Sequence, residues 1–515
     1  MIIDAHVHVS PDAGPAGYER LIRDLKQDGA GMALVSSVGR FERYPEPEAV
    51  RRYNADSASF ARAAGNFARW LAYVNPQNEN WSEELDLCLS QGAIGIKLWC
   101  ALKDAGGSMG RTRSVIAVAA ERRLPCLIHT FSHTEGNPAG ELNIEEFAEI
   151  AADFPKANLI AAHAGGNWRQ SIGAISRVPN ASVDVCGSFP AQGMVEALVA
   201  DVGVARIVFG TDMPGRSFAS QLAKVVFADV SEEERELILW KNAARIFGLS
   251  PGDSPSESPG QRVPRPAPAM AAQHLQSEHL DHSPDHFCFC GRWPSFETPC
   301  ETPRALNVLL AVAGAEKAYV ADLGSMFRTD LTEANRTFVQ HCEACPRLAP
   351  LAIVNPRASN WRRVLSARPQ QSAGVLVSPY LHSWRLDDPA QMPLFEECAR
   401  TSVPVWVNCA FGDHRFRHPA IQYRPVAADE FGAFAGPAPK NAYVFQGVPW
   451  QFIQPHVETI RARSDFRIEI SRLTDLYRHA EAAVSAGLLP QLVMGSEFPL
   501  RDLRQVRWTA CRQSL

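Results

Sequence analysis

No run of apolar residues in this 515-residue chain approaches the roughly 18 needed to cross a bilayer, and no long run of lysine or arginine stands out. The first absence argues against a helical membrane protein. The second, with a net charge of −5, argues against nucleic acid or an anionic membrane as partner, and leaves a small-molecule substrate as the expectation. Only Met1 precedes the opening apolar strand, which leaves no room for a cleavable signal peptide, so a cytoplasmic location is expected. The 12 cysteines are scattered through long, core-rich segments and do not frame a small domain, which fits reduced thiols. Cys288, Cys290 and Cys300, with His282 and His286 nearby, could in principle bind zinc, but that cluster lacks paired C-x-x-C spacing. The chain is also too long for one core, so two domains are expected.

What is present begins at once. The chain opens Met1-Ile-Ile-Asp4-Ala-His6-Val-His8, and residues two apart on a strand share a face, so His6 and His8 can grip one metal ion. From residue 1 to about 250, short β-rich apolar runs alternate with longer amphipathic ones, the pattern of βα units on a parallel sheet. The predicted strands are Ile2 to Ala5, Met32 to Ser36, Trp70 to Val74, Ala93 to Leu98, Pro125 to His129, Asn158 to His163, Ala181 to Cys186 and Arg206 to Gly210. Eight parallel strands in that length fit a (β/α)8 barrel, whose catalytic groups sit at the C-terminal strand ends. Those ends carry His6 and His8, Lys97, His129, His163 and Asp212. One polar residue after a strand is ordinary; five apolar runs closed by metal-binding residue types are not. The loop from Phe131 to Gly140, rich in turn formers, is expected to cover the site. Trp99, His133, Trp168 and Arg169 lie just past strand ends, as pocket lining or as loop packing.

D-A-H-V-H on strand 1, a histidine ending strand 5, H-x-G-G ending strand 6, G-T-D-x-P ending strand 8 and a closing helix from Asn242 to Leu249 together resemble the amidohydrolase superfamily. Within it they are similar to the amidohydrolase-related branch that includes aminocarboxymuconate-semialdehyde decarboxylase, resorcylate decarboxylases and dicarboxylate lactonases. The resemblance covers residues 1 to about 250. It implies that His6, His8, His129 and Asp212 bind one divalent metal, most often zinc, with manganese also suited to such donors. It implies roles for Asp212 and His163 in proton transfer. For Lys97 two readings stay open: carbamylated and bridging to a second metal on His163, as in binuclear members, or an ammonium that pairs with a substrate carboxylate.

Residues 251–283 are dense in proline and serine and read as a linker. Residues 284–515 then repeat the first half at a nearly constant offset. Asn75, Pro76 and Trp81 recur as Asn355, Pro356 and Trp361, and Phe209 to Pro214 recurs as Met494 to Pro499, with Asp212 facing Glu497. The predicted fold class is therefore α/β with two tandem TIM-like barrels. In that register His6 and His8 align with Phe287 and Phe289, Lys97 with Leu376, His129 with Asn408 and His163 with Gln446, so the second barrel is expected to be a degenerate copy without metal ligands. It would serve as an internal pseudo-dimer partner of the first. Any different site there would fall to His382, His414 and His418.

The activity expected of the first barrel is metal-dependent hydrolysis of a lactone or amide of a small carboxylic acid, with Asp212 taking the proton of the attacking water. Non-oxidative decarboxylation of an aromatic or muconate-type acid needs the same residues and is the alternative. A non-catalytic binding or scaffold protein is the reading from another class.

Overall fold

Short parallel strands buried on both faces explain why the apolar runs are nearly continuous and do not alternate. The computed structural model describes residues 1–11, 13–99, 101–187, 191–250 and 283–513, so the predicted linker lies outside the described residues except for Ser283. The chain divides into two units, Met1–Phe189 with Gly193–Arg265 and Pro190–Gln192 with Pro266–Leu515.

In the first unit the strands are β1 (Ile3–His8), β2 (Met32–Ser36), β3 (Ala68–Trp70), β4 (Ala72–Val74), β5 (Ile96–Leu98), β6 (Cys126–Ile128), β7 (Leu159–Ala161), β8 (Ala181–Asp184) and β9 (Ile207–Val208). They pair in chain order as β1 to β3 and β4 to β9, all parallel. The third predicted strand thus appears as two. At Leu71 the backbone changes partner: the Leu71 amide donates to the Val35 carbonyl at 2.9 Å, and the Ala72 amide donates to the Gly95 carbonyl at 2.9 Å. β3 and β4 are one barrel stave interrupted at that hand-over. The barrel closes between its first and last strands, where Ala5 N donates to Phe209 O (3.0 Å), Asp212 N to His6 O (2.7 Å) and His8 N to Met213 O (2.6 Å). Helices between the strands cover the outside. The one at Ile144–Asp153 is fixed by a capping box, Asn143 accepting from the Glu146 amide while Glu146 accepts from the Asn143 amide.

The second unit holds β10 (Asp285–Cys290), β11 (Ala318–Asp322), β12 (Leu348–Ile353), β13 (Gly374–Val377), β14 (Val405–Asn408), β15 (Tyr443–Gln446), β16 (Phe466–Glu469) and β17 (Leu492–Val493), one eight-stranded parallel sheet in sequential order. It closes as the first does, His286 N donating to Met494 O (2.8 Å) and Phe289 N to Phe498 O (2.9 Å). Cys288, Cys290 and Cys300 pack with Cys342, Cys345, Leu306 and Leu310 in an apolar patch. His286 stacks instead on Tyr319, ring centroids 4.7 Å apart, and His282 lies outside the described residues.

Two further details recur. Asp4 Oδ1 accepts from the amides of His6 (3.1 Å) and Thr211 (3.0 Å), and Asp285 Oδ1 accepts from those of Phe287 (3.0 Å) and Ser496 (2.9 Å). Each carboxylate ties the first strand to the turn after the last. A Cβ on Gly210 would come 2.8 Å from the His6 Cβ, and one on Gly495 would come 2.9 Å from the Phe287 Cβ. Only glycine allows so close an approach of the last strand to the first.

Candidate metal centre

His6, His8 and Asp212 meet at the C-terminal mouth of the first barrel. The two Nε2 atoms are 3.1 Å apart, and Asp212 Oδ1 lies 3.3 Å from His8 Nε2 and 3.8 Å from His6 Nε2. Donor and acceptor accounting then assigns the tautomers. His6 Nδ1 lies 2.8 Å from Asp184 Oδ2, and His8 Nδ1 lies 3.1 Å from the Ser36 carbonyl, so both Nδ1 atoms carry the proton. Both Nε2 lone pairs therefore face the Asp212 carboxylate across a gap between three acceptors. Acceptors do not bind one another, so this cluster calls for a cation. Two imidazoles and a carboxylate are a donor set that suits zinc or manganese, and the orientation of each imidazole by a carboxylate or carbonyl is what metal histidines commonly show. The residues fit the metal.

The Lys97 ammonium approaches the same place, its Nζ 2.8 Å from His6 Nε2, and Lys97 is fully buried on β5. It addresses the lone pair that a metal would take. Burial and this neighbouring cation push the His6 pKa down to about 4, so the ring is neutral near pH 7. Burial works against the charge of Asp184, yet the attraction and hydrogen bond of His6 hold that carboxyl well below the usual range. Asp212 is likewise held well below it, burial being outweighed by the close contact with His8 and by the surrounding His163 and His6.

Behind this trio runs a second line of contacts. Cys186 Sγ lies 3.1 Å from His163 Nδ1, His163 Nε2 lies 3.2 Å from His129 Nδ1, and His129 Nε2 lies 2.8 Å from Glu141 Oε1. Glu141 Oε2 in turn lies 2.9 Å from His133 Nε2. Because Glu141 only accepts, His129 carries its proton on Nε2, and His163 then donates from Nε2 and accepts at Nδ1. Burial opposes the charge of Glu141, but its bonds to His129 and His133 hold it below its ordinary value. His163 sits in a left-handed turn at φ 60° and is itself pushed well down by burial.

The structure brings together His6, His8, Asp212, Lys97 and His163 as the strand ends suggest. It places His129 one step away from the trio, with both ring nitrogens engaged by His163 and Glu141. Trp99 stands edge-on to His129 at 6.2 Å, and His133 lies on Glu141. Trp168 is buried beneath the Arg169 guanidinium, which stacks on its ring at 4.1 Å. Asp184, Cys186 and Glu141 join the site without being among the residues that the sequence points to. Asp184 does carry a signal, a carboxylate interrupting the apolar run Ala181 to Cys186 at a strand end.

Residues 3–249 match the family model described as amidohydrolase. The chain is similar to 2-amino-3-carboxymuconate-6-semialdehyde decarboxylase of Caenorhabditis elegans, 31% identical over 116 residues, which is 19% of this chain and 29% of that protein. It is 27% identical over 128 residues to an uncharacterized protein of Sinorhizobium fredii, 20% of this chain and 43% of the other. The chain thus spans less than half the length of these curated relatives. Among solved structures it is similar to 2,6-dihydroxybenzoate decarboxylase from Rhizobium, at 17% identity and a TM-score of 0.39 over 48% of this chain and 98% of that one.

Proposed function

Through residues 3–249 the chain belongs to the amidohydrolase superfamily, in the branch similar to aminocarboxymuconate-semialdehyde decarboxylase, and is a metal-dependent enzyme; from that premise we propose that it decarboxylates an aromatic or muconate-type acid without oxidation. The observation that carries this choice over hydrolysis is the likeness to the worm decarboxylase; the site itself serves either. His6, His8 and Asp212 would hold the metal, zinc or manganese, and when bound it supplies Lewis acidity toward a substrate oxygen.

The chain's own residues do the rest. The carbon–carbon bond to the carboxylate breaks, carbon dioxide leaves, and the electron pair left on carbon takes a proton. His163 is the group placed to deliver it, and Cys186, His129 and Glu141 hold it in one tautomer and one orientation. Lys97, an ammonium in a buried mouth, favours an anionic substrate. Hydrolysis of a lactone or amide is the second reading, favoured by the Asp212 carboxylate, which stays ionised and free to take a proton. Incubating the metal-loaded protein with hydroxybenzoates and with lactones, and following carbon dioxide against acid release, separates the two. Acid release alone overturns decarboxylation. We further propose that the second barrel is a degenerate copy serving the first as a built-in partner; equal turnover by residues 1–250 alone and by the full chain would remove the partner role.

A further inference from the structure

The axis of the second barrel is filled, but a cleft of 490 Å³ opens beside it, at the C-terminal ends of β11, β12 and β13. That volume suits a small organic ligand. Its walls are Phe327 and Arg328 after β11, Asn355 and Ser359 after β12, and Leu381 and His382 after β13. Phe327 is 44% exposed, one of few large apolar side chains left open, and it is oriented by Trp293 at 5.6 Å between ring centroids. The Arg328 guanidinium beside it makes no ion pair or hydrogen bond among the described residues. The nearest acid in the chain, Asp330, is already taken by Arg363 at 2.9 Å. His382 is 9% exposed; its Nε2 donates to the Met326 carbonyl at 2.7 Å, and its Nδ1 is buried without a partner among the described residues. A buried imidazole acceptor left unsatisfied is costly in a folded core and is ordinary beside a ligand or its water.

The cleft therefore offers an apolar plate, an uncommitted cation and one unused imidazole nitrogen, with no acid in its wall. The first barrel uses the same loop similarly: after β2, Phe41 is 60% exposed and stands edge-on to Trp99 at 5.6 Å, beside the candidate metal centre. We propose that the second barrel has a binding site of its own in this cleft, for a small aromatic carboxylate. Arg328 takes the carboxylate in a bidentate pair and Phe327 and Leu381 hold the ring. The site is for binding, not for chemistry, and does not depend on the activity proposed for the first barrel.

Benzoate titrated into the full chain by calorimetry tests this, with Arg328→Gln and Leu381→Trp as variants and benzyl alcohol as the uncharged control. Arg328 is exposed, so its variant keeps the fold. The expected result is a saturable benzoate site that weakens at least tenfold in Arg328→Gln, disappears in Leu381→Trp, and takes benzyl alcohol at least tenfold less well. Absence of binding, binding unchanged in Arg328→Gln, as a benzoate site confined to the first barrel would give, or equal affinity for the alcohol would each overturn it.

Discussion

The two barrel mouths are built on the same strand ends and solve opposite problems. In the first, His6, His8 and Asp212 turn three acceptors toward one another, and the Lys97 ammonium reaches only one of them, His6 Nε2, at 2.8 Å. In the second, Phe287 and Phe289 stand where the histidines do, their rings 5.7 Å apart and joined by Phe411 and Trp293. Glu497, at the position of Asp212, is wholly buried but compensated: it accepts from Arg472 at 2.7 Å and from Arg501 at 3.1 Å, and Arg501 also reaches Asp475 at 3.0 Å. A guanidinium does within the chain what a metal would do from outside.

The largest expected effect breaks this contrast at its centre. His6→Ala or Asp212→Ala should lower activity and metal affinity by more than about 100-fold, since even residues that merely orient metal ligands commonly cost 10 to 100-fold. Phe287→Ala and Asn408→Ala should leave turnover within about threefold, because the first removes packing and the second hydrogen bonds to Ser378 and Ala410, all within the second barrel. Metal content by elemental analysis, with turnover, checks both arms, and equal losses in the two barrels would erase the distinction. Next comes Arg501→Leu. Removing one partner from a buried ion pair costs about 3–5 kcal/mol, so melting of the second unit should fall by several degrees, with partial recovery in the double variant Arg501→Leu, Glu497→Gln. A change under about 1 kcal/mol would mean that Glu497 does not depend on Arg501.

A smaller effect sharpens the comparison within the first barrel. Asp184→Asn keeps the shape but weakens the hold on His6 Nδ1, and an amide can also present its donor there and turn the imidazole. Metal affinity should drop by about 10 to 100-fold with little change in melting of the metal-free protein. Unchanged metal affinity would show that His6 does not need Asp184 for its tautomer.

Much of this is legible in the sequence, for reasons that differ from residue to residue. The period-2 pair His6 and His8, and the polar closures at Lys97, His129, His163 and Asp212, are local signals, so they survive reading in one dimension. The eight-stranded order of the second barrel follows from its constant offset to the first. Asp184, Cys186 and Glu141 do not read as site residues, because what makes them matter is contact across the barrel: Asp184 and His6 are 178 positions apart. The ring nitrogens of His129 are a matter of rotamer and neighbours, which strand position does not contain. Arg501 escapes notice for the same reason; four residues past Glu497 it looks like a surface arginine, and only the fold puts Asp475 on its other side.

The last and smallest prediction rests on one position seen twice. Asp184 and Glu469 both end the seventh stave of their barrel and both are wholly buried, yet they titrate in opposite senses. Asp184 has His6 as a partner and is held low, whereas Glu469 has Phe287 in that place, and burial raises it to about 7 in spite of the amides of Gly447 (2.7 Å) and Ser471 (2.8 Å) that it accepts from. A carboxyl whose pKa rises on folding binds more protons folded than unfolded. Its contribution is therefore fully present below its unfolded value of 4.5 and is lost as pH rises through about 7. Glu469→Gln, which cannot ionise, should gain stability relative to the unaltered protein between pH 5 and pH 8, by on the order of 1 kcal/mol. Paired melts across that range measure the difference directly, and other titrating groups cancel in it. A difference that stays flat, or that falls with pH, would mean that the two amides hold Glu469 ionised and that the missing imidazole is not what separates the two barrels at this position.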